Sequence, residues 1–158
     1  MATTAKQSTK AIESRAVVER VWTDVVNGGN LAAIDELVAE EYRYHGPGGF
    51  ELAGPAGFRR FIAALHDIFD GLTVVVHEYI VDGDRVFSRW TGTGTHRDSG
   101  QPVEWAGATV THVADGQIFA DWEYWDRLEL AEQIATGWLE KRIVDSVSRG
   151  STADLPTE

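Results

Sequence analysis

Residues 103–125 read VEWAGATVTHVADGQIFADWEYW, and the fold turns on this stretch. Asp115-Gly116 is a two-residue hairpin signal, and the residues on either side alternate with a period of two. A two-residue loop pairs Ala114 with Gln117, which sets Asp121 opposite Val110. That pleat puts Phe119, Asp121, Glu123 and Trp125 on one face with Ala106, Ala108 and Val110. Trp122 and Tyr124 fall on the other, with Trp105, Thr109 and Thr111. Only the first face sets a carboxylate among small neighbours, so that face is expected to leave volume for a ligand, with Ala108 and Val110 lining it. No Lys or Arg stands directly opposite Asp121. Burial would therefore raise its pKa, and a carboxyl tuned upward exchanges protons near neutral pH.

Working outward, Leu72–Val81 and Arg85–His96 form two more strands joined at Asp82-Gly83, and Arg97–Gln101 is a longer connection to the hairpin above. Four consecutive antiparallel strands result. On the second, Ser88, Trp90, Gly92, Gly94 and His96 share a face and leave a gap between an indole and an imidazole. Arg89 is either a substrate contact or a cross-strand partner of Glu78, the latter being the simpler reading. Upstream, Pro55 opens a helix whose stripe is Phe58, Phe61, Ile62, Leu65, Ile68 and Phe69. Tyr42–His45 is a short strand closed by Gly46-Pro47-Gly48-Gly49. Asn30 caps a short helix carrying Leu31, Ile34, Leu37 and Val38, and Ile12, Ala16, Val21, Trp22, Val25 and Val26 mark the first helix. Downstream, Asp126 with Glu129 caps a last helix bearing Leu128, Ala131, Ile134, Trp138, Ile143 and Val147 and reaching Gly150.

Helices ahead of a long antiparallel sheet describe an α+β fold with helices on one face. The 158 residues suit one domain over 1–150, with a core at 12–135, a helical extension at 136–150 and a flexible tail at 151–158. Fourteen basic against 25 acidic side chains give a net charge of −11, and the basic residues form no cluster, which argues against nucleic-acid binding. Cysteine is absent, which suits a reducing compartment. No apolar run approaches the roughly 18 residues of a membrane span, and the N-terminal MATTAKQSTK has no apolar h-region. A soluble cytoplasmic protein is expected. His66, His77 and His112 show no paired ligand spacing, so no metal site is expected. Trp22, Tyr44, Trp90 and Trp125 are candidates to wall a cavity for a flat, apolar small molecule.

The stretches NGGNLAAIDELVAEEYRYHGPGG, LAGPAGFRRFIAALHDIF, VDGDRVFSRWTGTGTH and ADGQIFADWEYWD, in that order, resemble the SnoaL-like polyketide cyclase family of the nuclear-transport-factor-two-like superfamily. The resemblance runs from about Ile12 to Ile134. It implies a cone-shaped α+β barrel: three N-terminal helices packed on a strongly curved, mainly antiparallel sheet around one deep pocket, with a C-terminal helix, in a homodimer. It also implies acid/base, aldol-type ring closure of a polyketide-like hydrophobic carbonyl substrate without cofactor. The aspartate of the family's last-strand Asp-Trp segment falls on Asp121, which the pleat had already selected. His45 matches the histidine after the family's second helix, which makes it a second catalytic candidate. His96 matches a Gly-Thr-His segment, and with Glu123 it joins the substrate-binding candidates.

Two related chemistries fit less well. Limonene-type epoxide hydrolases of the superfamily use an Arg-x-Asp pair that this chain lacks, and steroid isomerase-type members carry a helix-one tyrosine that is absent here. Epoxide opening, isomerisation and a noncatalytic small-molecule-binding dimer are the alternatives to ring closure.

Overall fold

The computed structural model describes residues 2–150; the expected tail at 151–158 lies outside the described residues. Helix α1 (Ala2–Arg20) runs directly into a π-helical segment, Val21–Asn27. A short 3-10 turn and α2 (Ile34–Leu37) lead into β1 (Val38–His45), and a second 3-10 turn leads into β2 (Glu51–Ala53). Then follow α3 (Gly54–Ile68), β3 (Phe69–Asp82), β4 (Arg85–His96), β5 (Pro102–Ala114), β6 (Gln117–Trp125) and α4 (Arg127–Gly150).

The six strands form one curved sheet in the order β2-β1-β6-β5-β4-β3. All neighbours are antiparallel except β1 and β6, which run parallel. The four long strands match the sequence reading. Strand β2 has only three residues and too little pattern to be read from the sequence. The expected caps are present: the Asn30 side chain accepts from the Ala33 N–H, and Asp126 Oδ1 accepts from the N–H groups of Leu128 and Glu129 at 2.8 and 3.1 Å. Arg89 meets Glu78 at 3.2 Å, as expected.

The first helix differs in phase. Ile12 and Ala16 are exposed, whereas Ser14 and Val18 turn inward. The π turn then widens the helix, so Val21, Trp22, Val25 and Val26 all reach the core. Just beyond, the Asn27 side chain is tied to the Val74 backbone in both directions, at 2.8 and 2.6 Å.

The register of the hairpin also differs. Ala114 pairs with Gln117 and Val113 with Ile118, but the next pair is His112 with Ala120. Phe119 is the extra residue of a β-bulge, and a bulge moves every later side chain of its strand by one place. Asp121 therefore stands opposite Thr111, not Val110. Asp121, Glu123 and Trp125 share the inner face with Trp105, Thr109 and Thr111, while Ala108 and Val110 go to the outer face with Tyr124 and Trp122.

Helix α4 packs across the end of this inner face. Leu130 is buried and Ile134 half-buried. The Gln133 amide bonds both the N–H and the C=O of Glu104, at 3.0 and 2.8 Å, continuing the ladder of β5 where β6 has ended. Farther along, Leu139, Ile143, Val144 and Val147 are exposed. The Trp138 side chain, expected on the helix stripe, lies outside the described residues.

Candidate active site

Between the helices and the inner face lies a cavity of about 350 Å³, near the lower end of the usual range for ligand sites. Most of its wall is aliphatic or aromatic, supplied by α1, α3, α4 and β3–β5. Polar groups converge at one end: Tyr44 from β1, Thr109 and Thr111 from β5, and Asp121, Glu123 and Trp125 from β6. No Lys, Arg or His is among its lining residues.

Asp121 is almost fully buried, with both oxygens engaged. The Tyr42 hydroxyl donates to Oδ2 at 2.7 Å, and the Thr111 hydroxyl donates to Oδ1 at 2.5 Å. Burial raises the Asp121 pKa above its ordinary value, and these two donors hold it down in part. Glu123 follows two residues on, so the pleat aims it the same way. Burial, and then the charge of Asp121, push its carboxyl up to about 7, against the weaker pull of the Tyr44 hydroxyl and the Trp125 indole N–H. Glu123 keeps partial accessibility, which the cavity beside it accounts for. Burial and the adjacent carboxylates raise both tyrosines, so Tyr42 and Tyr44 stay protonated donors.

The aromatic wall is set by cross-strand pairs. Trp90 donates its indole N–H to the Thr109 hydroxyl at 2.9 Å and meets Trp22 at 5.8 Å between ring centres. Trp90 stands opposite Gly107, and Trp105 opposite Gly92. A Cβ at Gly107 would come within 2.4 Å of the Trp90 ring, and one at Gly92 within 2.7 Å of the Trp105 ring. Each indole thus occupies room that a larger partner would fill.

Of the residues singled out from the sequence, Asp121, Glu123, Trp22, Tyr44, Trp90 and Trp125 meet on this cavity. Ala108 and Val110 do not, because of the bulge. His45 is also outside: Tyr44 takes the inner side of β1, so His45 turns outward, stacks on Trp122 at 5.1 Å and pairs with Glu51 at 3.1 Å. His96 is tied by Nδ1 to Ser99 in the connection after β4 and does not line the cavity. Tyr42, Thr109, Thr111 and Trp105 were not anticipated. The spacing of Tyr42 and Tyr44, two apart on one strand, was the available signal for the first. Among the described residues no group of three His, Cys, Asp or Glu is placed to hold a metal ion. Among the described residues no helix is long and apolar enough to cross a membrane.

A helix-covered, curved, mostly antiparallel six-stranded sheet followed by a C-terminal helix is the architecture of the α+β proteins with a ketosteroid isomerase-like fold. A sequence model of the SnoaL-like polyketide cyclases matches residues 16–134, and the chain belongs to that family. Among solved structures it is similar to a protein assigned as a polyketide cyclase from Acidithiobacillus ferrooxidans, with 26% identity over 79% of this chain and 96% of that one and a TM-score of 0.71. It is also similar to a protein assigned as a SnoaL-like polyketide cyclase from Jannaschia sp. CCS1, with 24% identity over 78% and 92% and a TM-score of 0.73. A Mycobacterium tuberculosis LEH-like epoxide hydrolase shares the fold at 18% identity over 85% and 98%, with a TM-score of 0.69. No curated protein matches the chain.

Proposed function

We propose that the protein is a cyclase acting on a hydrophobic, polyketide-like carbonyl compound, with Asp121 as the acid/base. The observation that carries this reading is a carboxyl buried against an apolar cavity, held by two hydroxyls and faced by no cation. Asp121 takes a proton from carbon flanked by carbonyl groups. The resulting enolate forms a carbon–carbon bond to a second carbonyl carbon, and Asp121 returns the proton to the oxygen of that carbonyl. The product is an isomer of the substrate, so no oxidant, reductant or water is consumed. The apolar walls supply the folded, near-attack arrangement of the chain.

Asp121→Asn is expected to preserve the fold and lower turnover by about 10² or more, as for the loss of a general acid/base. An unchanged rate removes the assignment. Mass spectrometry of candidate polyketides after incubation distinguishes this reading from a binding module, which yields a stoichiometric complex and no isomeric product. Oxygen-18 uptake from water would instead mark epoxide opening.

A further inference from the structure

The indole Nε1 of Trp125 is buried and makes no hydrogen bond, although Trp125 lines the cavity. A buried donor left unpaired is costly and calls for an explanation. The other such atom among the described residues, Ser88 Oγ, does not border the cavity. Trp125 follows Glu123 by two residues on the same face, and its N–H sits near enough to Glu123 and the Tyr44 hydroxyl to lower the pKa of each, though it completes a hydrogen bond to neither. These three side chains therefore gather at one place on the wall. The two oxygens of Asp121, by contrast, are already engaged by Tyr42 and Thr111.

We infer that Trp125 and Glu123, with the Tyr44 hydroxyl beside them, form a subsite that donates hydrogen bonds to a carbonyl oxygen of the ligand, while Asp121 faces its acidic carbon. The inference rests on the carbonyl substrate proposed above and adds where its oxygen sits and which groups hold it. When the carbon loses its proton, negative charge develops on that oxygen. Donors fixed in an apolar wall stabilise such charge more than water does. The Trp125 N–H supplies one donor at every pH. Glu123 supplies a second while its carboxyl is protonated. The charged or titratable groups that face it are Asp121 on its own strand and Tyr44 and Tyr42 from β1; none of the cavity-lining residues from the helices or from β3–β5 is charged or titratable. As a carboxylate, Glu123 would accept from Trp125 and repel the ketone oxygen, so the occupied subsite requires its acid form.

The test uses 2-tetralone labelled with carbon-13 at the carbonyl, a small bicyclic ketone, with isotope-edited infrared spectroscopy of the bound probe at pH 6. The expected carbonyl band of the probe on the wild-type protein lies well below its position in a hydrocarbon solvent. Trp125→Phe and Glu123→Leu each return the band toward the hydrocarbon position and weaken binding roughly 3- to 10-fold, the scale of one ordinary hydrogen bond. Glu123→Gln retains a donor and keeps most of the displacement. A bound band at the hydrocarbon position, a band unmoved by both disruptive variants, or no saturable binding of the ketone overturns the subsite. Exchange of the probe's α-hydrogens in heavy water is followed in parallel. If it persists in Asp121→Asn while the band stays displaced, the catalytic role of Asp121 fails and the subsite stands.

Discussion

Replacing Glu123 by Gln is expected to stabilise the protein by an amount that grows with pH. In the unfolded chain Glu123 ionises around its ordinary value of 4.5, whereas in the folded protein it holds its proton up to about 7. Below 4.5 the carboxyl is protonated in both states and contributes nothing to the difference. As pH rises from 4.5 to about 7, the unfolded state releases a proton that the native state retains, so wild-type stability falls by about 1.36 kcal/mol per pH unit. The total reaches about 3 kcal/mol and is constant above pH 7. Gln resembles the protonated carboxyl in shape and never ionises, so the variant escapes this loss. Subtracting the two stability curves cancels the other titrating groups apart from Asp121. Repulsion between Asp121 and the ionised Glu123 is one cause of the Glu123 shift, so it is already contained in this difference. The assay is urea denaturation followed by tryptophan fluorescence at pH 4.5, 5.5, 6.5 and 7.5. The midpoints should coincide at the lowest pH and separate by roughly 1–3 M at the highest, for an m-value of about 1–3 kcal/mol/M. A difference independent of pH, or one that shrinks as pH rises, refutes the account of Glu123 as a buried acid held neutral.

Tyr42→Phe removes one of the two donors to Asp121, and the cost at pH 7 should be about 1.5–3 kcal/mol. It should be smaller at pH 4, where the buried Asp121 carboxyl, raised above its ordinary 3.8, is itself largely protonated in the folded protein and gains less from the donor, so paired denaturation curves at the two pH values check the sign. Thr109→Val strips the Trp90 N–H of its acceptor and should cost about 1–3 kcal/mol, read by thermal unfolding. Gln133→Ala frees the Glu104 N–H and C=O, and hydrogen exchange at the Glu104 amide should accelerate relative to neighbouring β5 amides.

The sequence made the class of fold legible because its long strands are punctuated by Asp-Gly turns and its helices by caps that the structure retains. It also marked Asp121, through the family's last-strand Asp-Trp segment, and four of the aromatic groups around it. The second wall of the site was hidden by one inserted residue. The Asp115-Gly116 turn fixes the pairing of Ala114 with Gln117, but the bulge at Phe119 lies only two residues later and reverses the facing of everything beyond it. The residues of β5 carry the signal of the true facing. Val103, Trp105 and Val113 share parity with Thr109 and Thr111, and bulk of that kind belongs inside, whereas the small Ala106 and Ala108 fall on the opposite face. His45 and His96 lie off the cavity for another reason: their positions follow the family pattern, but the pleat of β1 and the link to Ser99 decide where the rings go.

The glycine and tryptophan pairs across β4 and β5 make the cavity floor adjustable independently of its chemistry. Exchanging the partners within a pair, a larger residue for Gly92 with a smaller one for Trp105, would conserve the total volume packed into the sheet. It would nonetheless move the hollow from one strand to its neighbour. Related chains could in this way accommodate rings of different outline by trading bulk across a single ladder rung, leaving Asp121 and Glu123 undisturbed on β6.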